Sequence, residues 1–229
     1  LPFLIYQAKT IRKNNPLPPA QSNHLILGDS DQRVLILGES TAAGVGASKP
    51  ETSLAGTIFH LFKEKYEVIN LGKNGLRVKE LIPTFNEEIG SNPKKVEGIF
   101  LFMGANDCFR LTKPTQFRFE LENIISWLNQ SFSPNWIYLS AIPPVHNFPA
   151  FTPQLKYFLL RQRKFLSKEM ERIASQHHHI IYEEIQFDLT PDFFASDGIH
   201  PSDQGYQAIA QFAIDGIKRW EKKSKADIF

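Results

Sequence analysis

Asp197 and His200, three residues apart in FFASDGIHPSD, have the residue types of an acid–base pair. A carboxylate beside an imidazole orients the ring and stabilises the charged form that the ring takes after it accepts a proton. A serine hydrolase requires such a pair to deprotonate its nucleophile. Two serines could be that nucleophile, because LILGDSDQRVLILGES ends a Gly-acid-Ser pattern at Ser30 and again at Ser40. The sequence therefore holds the groups of serine catalysis, with two candidates for the nucleophile.

The residues that follow each serine favour Ser40. A turn of small residues and a predicted helix come after Ser40, whereas Ser30 is followed within three residues by another predicted strand. A strand-turn-helix context exposes a nucleophile at the edge of a sheet, and a serine between two strands is typical of a turn. The glycines after Ser40 match neither GxxxxGK[ST] nor GxGxxG, which argues against a phosphate-binding loop. The residues around Ser40 do not match GxSxG, because position 42 is Ala, which argues against the nucleophile elbow of the common α/β-hydrolases. A helix N-cap remains the alternative role for Ser40.

Short apolar runs alternate with amphipathic stretches along most of the chain. We predict five strands, at 33–38, 66–72, 96–104, 135–142 and 179–185. We predict helices near 53–65, 77–90, 115–131, 154–177 and 203–223. This alternation predicts an α/β fold, a three-layer α/β/α sandwich with a mostly parallel five-stranded sheet of flavodoxin-like type. The loops after the strands should then lie along one edge of the sheet, where open α/β folds place their sites.

Four segments at these predicted strand ends resemble, in order, the sequence blocks of the SGNH hydrolases, also called GDSL-type esterases and lipases. The segments are LGESTAAG with Ser40, NLGKNG with Gly75, GAND with Asn106, and DGIHP with Asp197 and His200. The likeness extends from about Val34 to Gln207. One residue differs, since Glu39 stands where the family usually carries Asp, and we expect this difference to affect local hydrogen bonding.

The resemblance implies a carboxylic ester hydrolase that forms an acyl-enzyme on Ser40. It implies a triad of Ser40, Asp197 and His200, an oxyanion hole of Ser40, Gly75 and Asn106, a small-molecule ester substrate, and no metal or cofactor. An acyltransferase with the same acyl-enzyme is an alternative, and a non-catalytic binding module ranks last because no triad member is missing. From the residues alone, Gly75 also suits a turn with positive φ, and Asn106 with Asp107 suits an Asx turn.

Phenylalanines are frequent in the loops that should border the site. We hypothesise that an apolar pocket for an acyl or aryl group is walled by Phe148, Phe151 and either Phe193 or Phe194. Packing of these loops onto the domain explains the same residues equally well.

Composition limits the remaining classes. A chain of 229 residues, 42% of them hydrophobic, is long enough for one sizeable core, which favours a single catalytic domain over residues 33–229. A net charge of +2 predicts no nucleic-acid partner. Cys108 is the single cysteine, so no intrachain disulfide forms. The oligomeric state stays open.

Residues 1–32 are predicted to form an N-terminal arm and a Pro-rich linker. The apolar start, Leu1 to Tyr6, is far shorter than the roughly 20 residues that span a bilayer. It is compatible with the end of a removed membrane anchor or signal, and equally with an arm packed on the domain. After an anchor, Lys9, Arg12 and Lys13 would lie on the cytoplasmic side. The compartment is therefore left open between cytoplasmic and membrane-associated or periplasmic.

Overall fold

The computed structural model describes residues 16–89, 95–186 and 188–226. In these residues six strands form one sheet in the order β1-β3-β2-β4-β5-β6. The strands are β1 (His24–Leu27), β2 (Gln32–Gly38), β3 (Glu67–Gly72), β4 (Lys95–Phe102), β5 (Trp136–Leu139) and β6 (Ile180–Ile181). All neighbours are parallel except β1, which pairs antiparallel with β3. The predicted α/β class with a mostly parallel sheet is confirmed, with six strands instead of five.

The sixth strand lies inside the segment that the sequence assigned to the arm and linker. In β1, His24 pairs with Leu71 and Leu27 pairs with Val68 of β3. Half-buried and exposed residues alternate along β1, as expected of an edge strand covered on one face. The sheet therefore begins at His24 rather than at Arg33, and the predicted arm over residues 1–15 lies outside the described residues.

Six α-helices cover the sheet in the described part of the chain. They are α1 (Leu54–Leu61), α2 (Val78–Ile89), α3 (Ala105–Phe109), α4 (Pro114–Phe132), α5 (Pro153–Ala174) and α6 (Asp203–Ala226). Five match predicted helices to within a few residues at most ends. Proline at the first position of α4 and α5 suits a helix start, and the Thr152 side chain accepts a hydrogen bond from the Leu155 N–H at the start of α5. The short α3 was not predicted.

The two faces of β2 contribute to two separate cores. Leu35 and Leu37 pack with residues of α2, α4 and α5 on one side of the sheet. Val34 and Ile36 pack with residues of α1 and α6 on the other. Because both faces are covered, the central strand is a continuous apolar run rather than an alternating one. None of the helices in the described ranges has the length and apolarity to cross a membrane.

Candidate active site

Ser40 begins a tight turn directly after β2. The Ala43 N–H donates to the Glu39 carbonyl over 2.9 Å, and the Val45 N–H donates to the Ser40 carbonyl over 3.1 Å. On the neighbouring strand, the buried Asn70 side chain donates to the Ala42 carbonyl over 2.9 Å. These bonds fix the backbone that carries the candidate nucleophile. Asn70 is the first residue of the NLGKNG segment, and its role was not foreseen from the sequence.

Asp197 and His200 form a hydrogen-bonded pair in the loop before α6. His200 Nδ1 lies 2.6 Å from Asp197 Oδ2, and Asp197 Oδ1 accepts the backbone N–H groups of Ile199 and His200, each over 3.0 Å. Burial alone would raise the pKa of Asp197, but the hydrogen bonds from the His200 ring and backbone hold that pKa below its usual value. The ionised carboxylate accepts a hydrogen bond from the N–H at Nδ1 of His200. The other ring nitrogen, Nε2, is then unprotonated and can act as the base.

Polar contacts join the Ser40 turn to the start of α6. The buried Tyr206 hydroxyl donates to the Val45 carbonyl over 2.8 Å. Asp203 Oδ1 accepts the Ser48 N–H and the Thr52 hydroxyl, each over 2.8 Å, and Asp203 Oδ2 accepts the Ser48 hydroxyl over 2.6 Å. Sequence reasoning missed Asp203 and Tyr206, although both follow the DGIHP segment within six residues.

Gly46 lies where the Ser40 turn meets the His200 loop. A Cβ at Gly46 would lie 2.5 Å from the Pro201 carbonyl oxygen and 3.3 Å from His200 Cβ, and its φ is +97°. A side chain here would force the two loops apart. Glycine at this position therefore allows the loops that carry Ser40 and His200 to make contact.

The three residues predicted to form an oxyanion hole lie around one cavity. Ser40, Gly75 and Asn106 line one cavity, and Gly75 has a φ of +82°. No hydrogen bond to another described residue uses the backbone N–H of Ser40 or of Gly75. Asn106 lies in the first turn of α3, in place of the Asx turn considered from the sequence.

The carboxylate of Glu39 holds Asn106 in place. Glu39 is only 4% exposed, and its Oε1 accepts the Ala105 N–H over 2.8 Å. Its Oε2 accepts both the backbone N–H of Asn106, over 2.9 Å, and the side-chain Nδ2 of Asn106, over 2.6 Å. Burial raises the pKa of Glu39 to about 7, although these hydrogen bonds oppose the shift. Because Glu39 Oε2 accepts this hydrogen bond, it fixes the amide with the nitrogen, rather than the oxygen, towards Glu39.

The next two residues of α3 have structural contacts. Asp107 Oδ2 accepts the Val78 N–H over 3.0 Å, and Oδ1 accepts the Thr112 hydroxyl over 2.7 Å, which connects α3 to the start of α2. Burial raises the pKa of Asp107. Cys108 is fully buried, and burial raises the pKa of its thiol, so it behaves as core rather than as a reactive group.

A cavity of about 740 Å³ unites the candidate residues from all four loops. Ser40, Gly75, Asn106, Asp197 and His200 lie on its wall, and much of the remaining lining is apolar. Ser40 and His200 share this cavity, but within the described residues no hydrogen bond joins their side chains. The geometry permits a nucleophile, a base and oxyanion donors to act on one bound group.

Three of the four phenylalanines proposed for the pocket wall line this cavity. These are Phe148, Phe151 and Phe193, whereas Phe194 does not line it. The Phe194 ring packs against Phe148 and Phe193 with centroids 5.5 and 5.2 Å apart, and the Phe194 backbone bridges to Pro201. Of the two alternatives offered by the sequence, Phe193 lines the cavity, and the acyl or aryl pocket stays a prediction.

No cluster of three or more His, Cys, Asp or Glu side chains that could hold a metal ion occurs in residues 16–89, 95–186 and 188–226.

The fold and the shared cavity define the class, an α/β protein with its candidate site at the carboxyl edge of a mostly parallel sheet. Residues 36–208 match the GDSL-like Lipase/Acylhydrolase family, so the chain belongs to that family and is a carboxylic ester hydrolase. This confirms the resemblance noted from the four sequence blocks.

Solved structures of low sequence identity share the fold. A member of the lipolytic G-D-S-L family from Veillonella parvula is 17% identical, with a TM-score of 0.63 over 80% of this chain and 97% of its own. A psychrotrophic esterase from Pseudoalteromonas sp. is 18% identical, with a TM-score of 0.62 over 83% and 98%. A carbohydrate acetylesterase family member from Sinorhizobium meliloti is 15% identical, with a TM-score of 0.62 over 82% and 98%. No curated protein matches the sequence.

Proposed function

We propose that the protein is a serine esterase that hydrolyses carboxylic esters through an acyl-enzyme on Ser40. The observation that carries the proposal is the cavity that brings Ser40 together with Gly75, Asn106 and the Asp197–His200 pair. These residues come from four separate loops: Ser40, Gly75 and Asn106 follow β2, β3 and β4, and the Asp197–His200 pair lies in the loop before α6. An esterase needs this set of groups.

In the proposed reaction, Ser40 Oγ attacks the ester carbonyl while His200 Nε2 takes the hydroxyl proton. Asp197 stabilises the imidazolium through the 2.6 Å contact at Nδ1. Collapse of the tetrahedral intermediate breaks the ester C–O bond, and His200 returns the proton to the leaving alcohol. Water, deprotonated by the same His200, then attacks the acyl-enzyme and releases the carboxylic acid and free Ser40.

The oxyanion would be bound by the N–H groups of Ser40 and Gly75 and by Asn106 Nδ2. An amide nitrogen carries two protons, and Glu39 accepts one of them over 2.6 Å, so the second is available to the oxyanion. Glu39 is then a positioning residue that acts through Asn106. Preorganised donors of this kind each contribute about 10²-fold or more in rate.

The apolar cavity supports an acyl or aryl group as the part of the substrate bound beside Ser40. Phe148 and Phe193 are buried, so they form fixed walls, and the Phe151 ring lies tilted against Phe148 with centroids 5.7 Å apart. Replacing Phe151 by Ala should shift the preferred acyl-chain length of the esterase. The same change at Phe119 of α4 is the matched control, because that ring is 60% exposed and lies outside the cavity.

The test is covalent labelling with a fluorophosphonate, read by the mass of the intact chain, together with turnover of p-nitrophenyl esters from acetate to long acyl chains. Wild type and Ser30→Ala should gain one adduct and hydrolyse esters, and Ser40→Ala should do neither. Labelling or turnover that survives in Ser40→Ala would disprove the mechanism. Full labelling with slow hydrolysis, and acyl transfer to an added alcohol or sugar, would instead identify an acyltransferase.

A further inference from the structure

The entrance of the cavity is surrounded by exposed apolar side chains. Phe109 and Leu111, in the segment 109–113, are 37% and 43% exposed, and Phe158 of α5 is 46% exposed; all three line the cavity. Tyr157 and Phe165 of α5 are 59% and 51% exposed. Large side chains exposed together in this way mark an interaction surface rather than the ordinary scatter of single apolar residues.

The same surface is strongly basic. We call the exposed residues of segments 109–113 and 153–168 the mouth face. Its two segments contain seven Lys and Arg and no Asp or Glu: Arg110, Lys113, Lys156, Arg161, Arg163, Lys164 and Lys168. Arg163 pairs with Glu184, and Lys156 is half-buried beside them on the wall of a separate polar cavity. The five exposed cations, which have no ion-pair partner among the described residues, are Arg110, Lys113, Arg161, Lys164 and Lys168.

The two segments of the mouth face are fixed to each other. Gln162 Nε2 of α5 donates to the Thr112 carbonyl over 2.7 Å, and the Phe109 ring packs on the edge of Phe151 at 5.6 Å. Along α5, Tyr157, Arg161 and Phe165 are spaced four residues apart and therefore share one side of the helix. Apolar and basic groups thus form one continuous surface. It could not be predicted from the sequence, because its two segments lie about 40 residues apart.

We propose that the mouth face binds the surface of an anionic lipid bilayer. Aromatic and aliphatic side chains enter the boundary between headgroups and acyl chains, while long Lys and Arg side chains contact the anionic headgroups. Five exposed, unpaired cations complement that negative surface, and each adds about fivefold to the partition coefficient. Docking in this orientation would open the apolar cavity towards the lipid.

Charge argues against two other occupants of the mouth face. A second copy of the chain would bring the same unpaired cations against each other. Residues 1–15 carry Lys9, Arg12 and Lys13 and no acidic residue, so they too are of like sign. An anionic partner is the one whose charge matches.

The test is co-sedimentation of the full chain with vesicles of phosphatidylcholine alone or mixed with phosphatidylglycerol, at low and high salt. We expect binding to the mixed vesicles, weakened by salt. Arg161→Glu/Lys164→Glu should lower the partition coefficient by about 25-fold or more. Lys222→Glu/Lys223→Glu is the matched control, because it changes the net charge equally on exposed residues of α6, across the sheet. Phe165→Ser should weaken binding, and Ile26→Ser, 55% exposed on β1, should not.

Each alternative has its own result. Equal binding to neutral vesicles, or equal loss in both double variants, would overturn the proposal. Dimerisation in solution that Phe165→Ser abolishes would assign the face to a second copy and overturn it as well. Ser40→Ala should bind vesicles as the wild type does, so a failure of the proposed chemistry is distinguishable from a failure of docking. Hydrolysis of a short soluble ester should be unchanged in the mouth-face variants. This assay is the control that the variants are folded.

Discussion

Two nearly identical hexapeptides, LILGDS at 25–30 and LILGES at 35–40, have different structural environments. The first contributes β1 at the edge of the sheet, where Ile26 is 55% exposed. The second lies in β2, between β3 and β4, where the equivalent Ile36 is fully buried. The same apolar run therefore serves as an edge strand in one place and as the centre of the fold in the other.

The polar ends of the two hexapeptides differ in the same way. Ser30 Oγ accepts the Gln32 N–H over 3.2 Å within an exposed turn, whereas Ser40 lines the cavity. Asp29 is exposed, and Glu39 is buried and bonded to three donors from Ala105 and Asn106. The comparison teaches that position at the carboxyl end of a central parallel strand, rather than the local sequence, gives Gly-acid-Ser its chemical setting.

The largest expected difference is between the two serines. Replacing Ser40 by Ala should lower kcat/KM for a p-nitrophenyl ester by on the order of 10⁴-fold or more, because the nucleophile is lost. Replacing Ser30 by Ala should change it less than about twofold, since only a surface turn is affected. Steady-state rates of the two purified variants measure this, and similar losses in both would remove the functional distinction between the hexapeptides.

Much of this arrangement could be predicted from residue patterns, and the exceptions have physical causes. The buried strands are apolar runs of local sequence, and the four strand-end segments contain their own polar residues. The pairing of β1 with β3 was missed because a four-residue strand at the edge carries only a weak alternation. The contact between Glu39 and Asn106 joins residues 67 apart in sequence, and only the adjacency of β2 and β4 brings them together.

The buried carboxyl group of Glu39 should also make stability depend on pH. Its pKa is about 7 in the folded protein and near the ordinary value of 4.5 in the unfolded chain, so between these values the folded state binds more protons. The free energy of unfolding should therefore fall by about 3 kcal/mol as pH rises from roughly 4.5 to 7. In urea unfolding, the free energy of unfolding should fall with this slope against pH in wild type and in Asp29→Asn, and less steeply in Glu39→Gln. The same slope in all three proteins would contradict the assignment of the pH dependence to Glu39.

A smaller effect tests whether Glu39 acts on catalysis through Asn106. Three N–H groups converge on Glu39, whereas glutamine offers one acceptor oxygen and two donor protons. In Glu39→Gln the new NH₂ group would therefore face N–H donors, and the Asn106 side-chain amide would no longer be held in place. We expect kcat to fall about 10²-fold with little change in KM, because the affected bond forms only in the transition state. Asp29→Asn, at the equivalent position of the first hexapeptide, should leave both constants unchanged.

The double variant Glu39→Gln/Asn106→Ala separates positioning from a general structural effect. If Glu39 serves only to orient Asn106, the double variant should be no slower than Asn106→Ala, because the group that Glu39 holds is already gone. If the fold-losses in kcat of the two single variants multiply in the double variant, Glu39 contributes independently, through the Ser40 turn or through the stability of α3. Rates measured above pH 7, where Glu39 is ionised, and circular dichroism of each variant would keep the comparison on folded protein in one protonation state.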